Sequence, residues 1–170
     1  MITIKPISIL SEEMPICIAL DVHEGQEKFV ADNVYSLAQA YDTNKHHDET
    51  GEGSIAVPYA VYSDDVMVGF TMYGYFQPDP DDDDNYDNEN PCYYIWRLLI
   101  DKNHQRKGIG LEAVRLVMEE IKKKPQGYAT HCYVSYMPDN IGSKTTFGNY
   151  GFEEDGRVMG GETVARYKLH

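Results

Sequence analysis

The stretch Gln105-Arg106-Lys107-Gly108-Ile109-Gly110 decides the fold of this chain, because of what stands on either side of it. Before it comes Tyr93-Tyr94-Ile95-Trp96-Arg97-Leu98-Leu99-Ile100, an apolar run of strand length. After it, apolar residues recur with the spacing of a helix, at Leu111, Val114, Met118 and Ile121. The order therefore predicts a strand, a glycine-containing turn and the first turn of a helix.

Such a turn is suited to a phosphate group. The first N–H groups of a helix have no partner inside the helix, and the helix dipole adds partial positive charge there. Gly108 and Gly110 permit a positive φ or a close approach of a ligand, while Arg106 and Lys107 add cations. The turn lacks the third glycine of a dinucleotide fingerprint and the Gly-Lys-Ser/Thr of a P-loop. For these residues alone, an ordinary strand-to-helix connection is the alternative interpretation.

With its downstream residues, the turn resembles the phosphate loop of the GNAT superfamily of acyl-CoA-dependent N-acetyltransferases. That loop reads Arg/Gln-x-x-Gly-x-Gly/Ala, and residues 105–110 match it. In the family, the next strand (here 129–136) is followed by a helix that begins near an asparagine, here Asn140, and ends in a Gly-Phe turn, here Gly151-Phe152. The stretch 25–41 also looks like a bacterial subgroup associated with spermine and spermidine acetylation.

The resemblance implies an α/β (α+β) fold in a single domain over residues 1–170, with a mixed central sheet and helices on both faces. Strands 93–100 and 129–136 are expected to splay apart, so that the pantetheine arm of acetyl-CoA lies between them. Acetyl-CoA is then a co-substrate. The implied cofactor-binding residues are Leu98 and Ile100 on the first strand, then Gln105, Arg106, Lys107, Gly108, Ile109, Gly110, Asn140 and Lys144.

The chemistry implied by the resemblance is direct attack of an amine on the thioester, followed by departure of a thiolate. The family's usual acid is a tyrosine, but Phe147 occupies that position here and has no proton to give. Tyr136, a water molecule or an unassisted thiolate are the alternatives, and a cofactor-binding module with weak turnover is another. For the substrate we select Glu27 as an amine anchor, with Tyr75 and Trp96 as aromatic walls.

The formal net charge is −13, which argues against a nucleic-acid partner because phosphate binding needs a basic surface. Acidic residues crowd segment 77–90, which predicts attraction of a small cationic amine, although solubility alone would also explain the charge. A linear polyamine, spermine or spermidine, is the acceptor we expect. Another small amine, an aminoglycoside-like antibiotic and a peptide N-terminus are the alternatives, as is a non-enzymatic acetyl-CoA-responsive module.

The remaining features bound the setting of the protein. We find no apolar window long enough to span a membrane, and no signal-peptide pattern at the N-terminus. Three cysteines without paired spacing predict reduced thiols and a cytoplasmic protein. We expect segment 42–54 to be a loop; its adjacent His46 and His47 form no chelating face, so no metal is predicted. The sequence leaves a homodimer open.

Overall fold

The computed structural model describes residues 1–79 and 85–170, which form seven strands and four helices. In chain order these are β1 (Ile2–Pro6), α1 (Met14–Ile18), α2 (Asn33–Thr50), β2 (Ile55–Ser63), β3 (Val66–Phe76), β4 (Cys92–Ile100), α3 (Ile109–Lys122), β5 (His131–Tyr136), α4 (Ile141–Tyr150), β6 (Glu153–Met159) and β7 (Glu162–Lys168). The strand, turn and helix predicted around residues 105–110 are therefore present as β4, the connecting turn and α3.

The seven strands form one mixed sheet in the order β1-β2-β3-β4-β5-β7-β6. Every neighbouring pair is antiparallel except β4 and β5, which run parallel. Parallel neighbours need a crossover connection, and α3 supplies it. The predicted mixed sheet is confirmed, and it belongs to a single α/β domain.

The predicted splay of the central strands is also confirmed. β4 and β5 are paired only at Tyr93 with Cys132 and at Tyr94 with Tyr133. Just beyond these pairs, β4 contains a bulge: Met72 of β3 faces Arg97 and Tyr73 faces Ile95, so that Trp96 is the extra residue. A bulge bends its strand and ends regular pairing. β4 therefore separates from β5 after these two residue pairs, and a gap opens between the two strands.

Helices cover both faces of the sheet, as predicted. On one face α3 buries Val114, Val117 and Ile121 in the largest apolar cluster, which α4 joins through Phe147. On the other face the buried residues of α1 and α2 pack on β2 and β3 in a second cluster: Cys17, Leu37, Ala40, Ala60, Phe70 and Met72. Apolar residues on opposite faces of the strands supply these two layers.

The predicted loop over residues 42–54 is wrong, because α2 continues to Thr50. The side chain of Asp32 caps its first turn by accepting a hydrogen bond from the Tyr35 N–H at 2.7 Å, and Gly51 ends it with φ of 74°. Few apolar residues mark the second half of this helix, so periodicity gives no signal there. His46 and His47 are consecutive residues on a helix, and the described residues contain no group of three or more possible metal ligands.

Candidate active site

A cleft of about 900 Å³ opens where β4 and β5 part. Its volume lies at the upper end of what small-molecule sites usually have. Beyond Tyr94, the edge of β4 that faces β5 has no strand partner, so its backbone groups point into the cleft. Leu98 and Ile100, both predicted as backbone contacts, line this edge.

The glycine-containing turn before α3, which is the predicted phosphate-binding turn, borders the cleft. Gly108 is the N-cap of α3 with φ of 77°, and Arg106 also has a left-handed φ, of 60°. A non-glycine residue in that region carries strain, which is common at ligand sites. Arg106, Gly108, Ile109 and Gly110, which the sequence predicts as cofactor-binding residues, all line the cleft.

Packing within the protein does not require a glycine at position 110. A methyl group built on Gly110 would meet only Ile100 and Thr146, at 3.8 and 3.9 Å, which are ordinary contact distances. The protein itself therefore has room for a side chain at this position. The first N–H groups of α3 have no partner within the helix, and together with Arg106 they form a donor set that fits a pyrophosphate.

Two predicted cofactor-binding residues of the turn have other partners in the structure. Gln105 lines the cleft, but its amide donates to the Ile100 carbonyl at 3.0 Å and to Gln26 at 2.9 Å. It holds the turn against β4 and against segment 22–31, which borders the cleft. The Lys107 ammonium donates to the Asn103 carbonyl at 2.9 Å and lies outside the cleft lining, so its role in cofactor binding stays a prediction.

The start of α4 forms the opposite wall. Asn140 caps this helix by accepting a hydrogen bond from the Ser143 N–H at 3.1 Å, and it lines the cleft as predicted. The Lys144 ammonium pairs with Glu154 at 2.9 Å and is not part of the lining, so its role in cofactor binding stays a prediction. Successive side chains on a helix point in different directions, so a residue close to Asn140 in sequence need not face the cleft.

Phe147 and Tyr136 lie side by side on this wall. Their rings are parallel within 4°, with centroids 6.3 Å apart, and Phe147 is 4% exposed. The Tyr136 hydroxyl donates to Glu154 at 3.1 Å, and burial followed by this carboxylate raises the pKa of Tyr136 to about 12. Tyr136 therefore stays protonated at neutral pH, but in this structure its proton is directed to Glu154. Tyr150 packs on Tyr167 and lies outside the cleft.

Of the three predicted substrate residues, Trp96 and Glu27 line the cleft and Tyr75 does not. Trp96 lines the cleft from the bulge of β4, and its ring packs edge-to-face with that of Phe76, with centroids 5.6 Å apart. Glu27 lines the cleft and is exposed, with one carboxylate oxygen accepting from the Gly25 N–H at 2.6 Å.

Tyr75 is corrected: it lies in the core under α3 and donates to the Tyr128 carbonyl at 3.1 Å. Tyr75 faces Tyr93 in the sheet register, and Tyr93 belongs to the same apolar cluster. The alternation of side chains along the strand therefore fixes Tyr75 on the face of the sheet that α3 covers.

Sequence reasoning missed a polar group that lines the cleft on the face of the sheet away from α3. Ser135 lies next to Glu162 of β7, and the two lining residues Tyr94 and Arg97 are close by. Glu162 follows the Gly160-Gly161 turn, and strand alternation alone places Ser135 and Tyr94 on one face. The contact between them depends on three strands meeting, which no local pattern reveals.

The acidic segment 77–90 is described at both ends, and its residues 80–84 lie outside the described residues. Tyr86 stacks on Tyr94 with centroids 4.2 Å apart. The Asp87 carboxylate accepts from Tyr133 at 3.4 Å and from the Asn90 N–H at 2.9 Å. Residues 85–90 therefore pack against β4 and β5, next to the part of the cleft that holds Glu162.

In the described part of the chain, no helix is long and apolar enough to cross a membrane.

A mixed sheet whose two parallel strands part beside a glycine-containing helix N-terminus is the architecture of acetyltransferases that hold an acyl-CoA between strands. The sequence model of the acetyltransferase (GNAT) family matches residues 20–160. The chain belongs to the GNAT family, and it is an acetyltransferase with acetyl-CoA as co-substrate. The resemblance read from residues 93–152 is thereby confirmed at the level of the family.

Named relatives agree with this assignment, and a solved structure agrees with the fold. The chain is 30% identical to the probable spermine N(1)-acetyltransferase of Bacillus subtilis subsp. natto (strain BEST195), over 85% of this chain and 86% of that protein. It is 29% identical, with the same coverage, to the spermine/spermidine N(1)-acetyltransferase of Bacillus subtilis (strain 168). The structure of aminoglycoside acetyltransferase AAC(6')-Ib with coenzyme A and kanamycin superposes with a TM-score of 0.72 at 16% identity, covering 99% of this chain and 95% of that one.

Proposed function

We propose that this protein transfers the acetyl group of acetyl-CoA to a primary amine of a linear polyamine, spermine or spermidine. The observation that carries the acceptor is the 30% identity, over 85% of the chain, to a protein named as a spermine acetyltransferase. The net charge of −13 supports a cationic acceptor. Among the described residues that line the cleft, Glu27 and Glu162 carry carboxylates.

The donor half of the site binds and orients. The first N–H groups of α3 and the Arg106 guanidinium bind the phosphates, while Gly108 and Gly110 keep the backbone close to them. The free edge of β4 at Leu98 and Ile100, together with Asn140, binds the pantetheine arm. When bound, acetyl-CoA supplies an activated thioester carbonyl. Holding it beside the amine contributes much of the rate, and β4 N–H groups stabilise the charge that develops on the carbonyl oxygen.

The proton balance of the reaction rests on few groups. The attacking amine must lose a proton before or during attack, because an ammonium has no lone pair. At the other end, Phe147 cannot protonate the thiolate, and Tyr136 can do so only if its hydroxyl turns away from Glu154. A thiol has an ordinary pKa near 8.5, so its thiolate is a tolerable leaving group at neutral pH. We therefore propose real turnover without a dedicated tyrosine acid at position 147.

An amine panel tests this function. Purified protein is mixed with acetyl-CoA and spermine, spermidine, kanamycin, a peptide or a monoamine, and the free thiol of coenzyme A is measured. We expect the largest kcat/KM with spermine or spermidine. Acetylation of kanamycin or the peptide in preference to both polyamines would contradict the acceptor, and no thiol release above the amine-free rate would favour a non-enzymatic acetyl-CoA-binding module.

The buried unpaired cysteines support a reducing compartment, where we place the reaction.

A further inference from the structure

We propose that Glu162 binds an ammonium group of the acceptor, in the part of the cleft on the face of the sheet away from α3. The proposal rests on the proposed function, because it takes the acceptor to be a di- or polyamine. It concerns the ammonium that does not react: a cation held on a carboxylate is stabilised in its protonated form and is a poor nucleophile. Glu162 would thus select acceptors that carry a second positive charge.

A directed chain of hydrogen bonds ends on this carboxylate. The Ser135 hydroxyl donates to Glu162 in a short contact. A hydroxyl has one proton, so Ser135 can only accept from its other two partners. These are the hydroxyls of Tyr94 at 2.9 Å and Tyr86 at 3.1 Å, and the two tyrosine hydroxyls also hydrogen-bond each other. The Ser135 hydroxyl dipole therefore points its positive end towards Glu162, and the two tyrosine hydroxyls hold Ser135 in place.

The carboxylate has no protein cation as its partner. In residues 1–79 and 85–170, no Lys, Arg or His nitrogen lies within 4.0 Å of Glu162. Arg97 is near enough to feel its charge, yet the three hydrogen bonds of that guanidinium go to the Trp96 carbonyl, Ser36 and Gln39. A half-buried carboxylate without a cation is costly, and a ligand ammonium would offset that cost.

The surroundings of Glu162 suit an alkyl ammonium. Trp96 and Tyr94 line the same cleft, so that methylene groups have apolar ring surface to contact beside the charge. The sheet also separates the two reactants: α3 and the phosphate-binding turn lie on one face, and Tyr94 and Ser135 project from the other. Glu27, by contrast, is close enough to Lys102 to contribute to raising its pKa, and its segment is tied to the phosphate-binding turn through Gln26. Glu162 is therefore better placed than Glu27 for the acceptor.

The test compares two amines of equal length that differ in one charge. 1,3-Diaminopropane and butylamine have the same number of heavy atoms, with an ammonium in one replaced by a methyl group in the other. For the unaltered protein we expect kcat/KM to favour the diamine by about 10- to 100-fold, as for one charge-assisted hydrogen bond. In Glu162→Gln this preference should fall to within about threefold, because the carboxylate is removed while the shape is kept. KM for acetyl-CoA should not change.

Glu153→Gln is the matched control, since it removes an exposed carboxylate from the neighbouring strand β6, outside the cleft lining. It should keep the preference for the diamine, and Glu162→Asp should restore part of it. Thermal melting confirms that each variant is folded. An equal loss of kcat/KM for both amines in Glu162→Gln, or an unchanged preference, would overturn the role of Glu162 and leave the polyamine function standing. If the unaltered protein acetylates no di- or polyamine, the proposed function fails and this inference fails with it.

Discussion

Phe147 and Tyr136 are the two positions at which protonation of the leaving thiolate can be tested. Phe147 is buried against Tyr136 and Phe152, so a hydroxyl added to its ring would sit on the cleft wall. We expect Phe147→Tyr to fold and to remain active, since the two rings are nearly the same size. If protonation limits the rate, kcat should rise in steady-state assays. A rise of less than about twofold, which is under roughly 0.4 kcal/mol of activation free energy, would show that protonation is met elsewhere.

Tyr136→Phe tests the reverse case. The hydroxyl of Tyr136 stays protonated because burial and Glu154 raise its pKa to about 12. If it protonates the thiolate, its loss should lower kcat by about 10²-fold or more, as for other general acids, with little change in KM for either substrate. If it only holds Glu154, kcat should change by less than about threefold. The double variant Tyr136→Phe with Phe147→Tyr should regain activity only in the first case.

Local motifs could be predicted from the sequence, and side-chain directions could not. Gly108, Gly110 and Arg106 line the cleft because the turn that carries them is short and its geometry is set by its own residues. Tyr75 fails because its face depends on the register between β3 and β4. Lys107 and Lys144 lie outside the cleft lining because long side chains bind whichever acceptor is near, here Asn103 and Glu154, and their role in cofactor binding stays a prediction. Glu162 was missed because three strands must meet to define its surroundings.

At the scale of elements, the turn before α3 carries the clearest test of the donor site. Gly108→Asp would place a carboxylate beside the phosphates, and its φ of 77° adds backbone strain. We expect calorimetry to show binding of acetyl-CoA to the unaltered protein and a loss of at least about 10-fold in affinity in the variant.

The control for this variant is Gly156→Asp. Gly156 in β6 has φ of 86°, and a methyl group built there has no neighbour within 4 Å, as at Gly108. The two variants therefore share the strain and the added charge, but only Gly108 lines the cleft. Equal affinities in Gly108→Asp and Gly156→Asp would contradict the placement of the phosphates.

Elements differ in how well the sequence predicts them, for physical reasons. β3 and β4 are long apolar strands, and α3 has a regular apolar face, so their pattern is strong. The second half of α2 is polar on all sides and is held by its caps and by packing of its first half. The splay of β4 from β5 was inferred from the resemblance; the bulge at Trp96 that accompanies it has no glycine or proline to mark it.

The fold buries all three cysteine side chains. Cys17, Cys92 and Cys132 lie on α1, β4 and β5, and all are buried and unpaired. Burial raises the pKa of Cys17 to about 11 and that of Cys92 to about 12, so the reactive thiolate is rare at pH 8. We expect Ellman's reagent to titrate no thiol in the native protein and three in denaturant. Rapid reaction of one thiol in the native protein would contradict this packing, and it would also add background to thiol-release assays.

The net charge of −13 should act on the acceptor before it reaches the cleft. Attraction between exposed charges is screened beyond about 8–10 Å near physiological ionic strength, so it weakens as salt is added. We expect KM for spermine to rise between about 10 and 150 mM salt. KM for acetyl-CoA should rise less, because its anionic phosphates are repelled by the same field and bound by local N–H groups.

A local and a global origin of this salt response can be separated. Changing Asp81, Asp82, Asp83 and Asp84 to asparagine removes four negative charges from the acidic segment, in residues that lie outside the described part of the chain. The matched control changes four acidic residues that are not part of the cleft lining, to Asn or Gln: Asp42, Asp48, Glu49 and Glu52. The acidic segment joins β3 to β4, and β4 lines the cleft from Tyr94 onward. We therefore expect the variant in the acidic segment to raise KM for spermine more than the control variant does, and to flatten the salt response more. Equal effects of both variants would assign the response to net charge alone, and a KM for spermine that does not move with salt would remove electrostatic recruitment altogether.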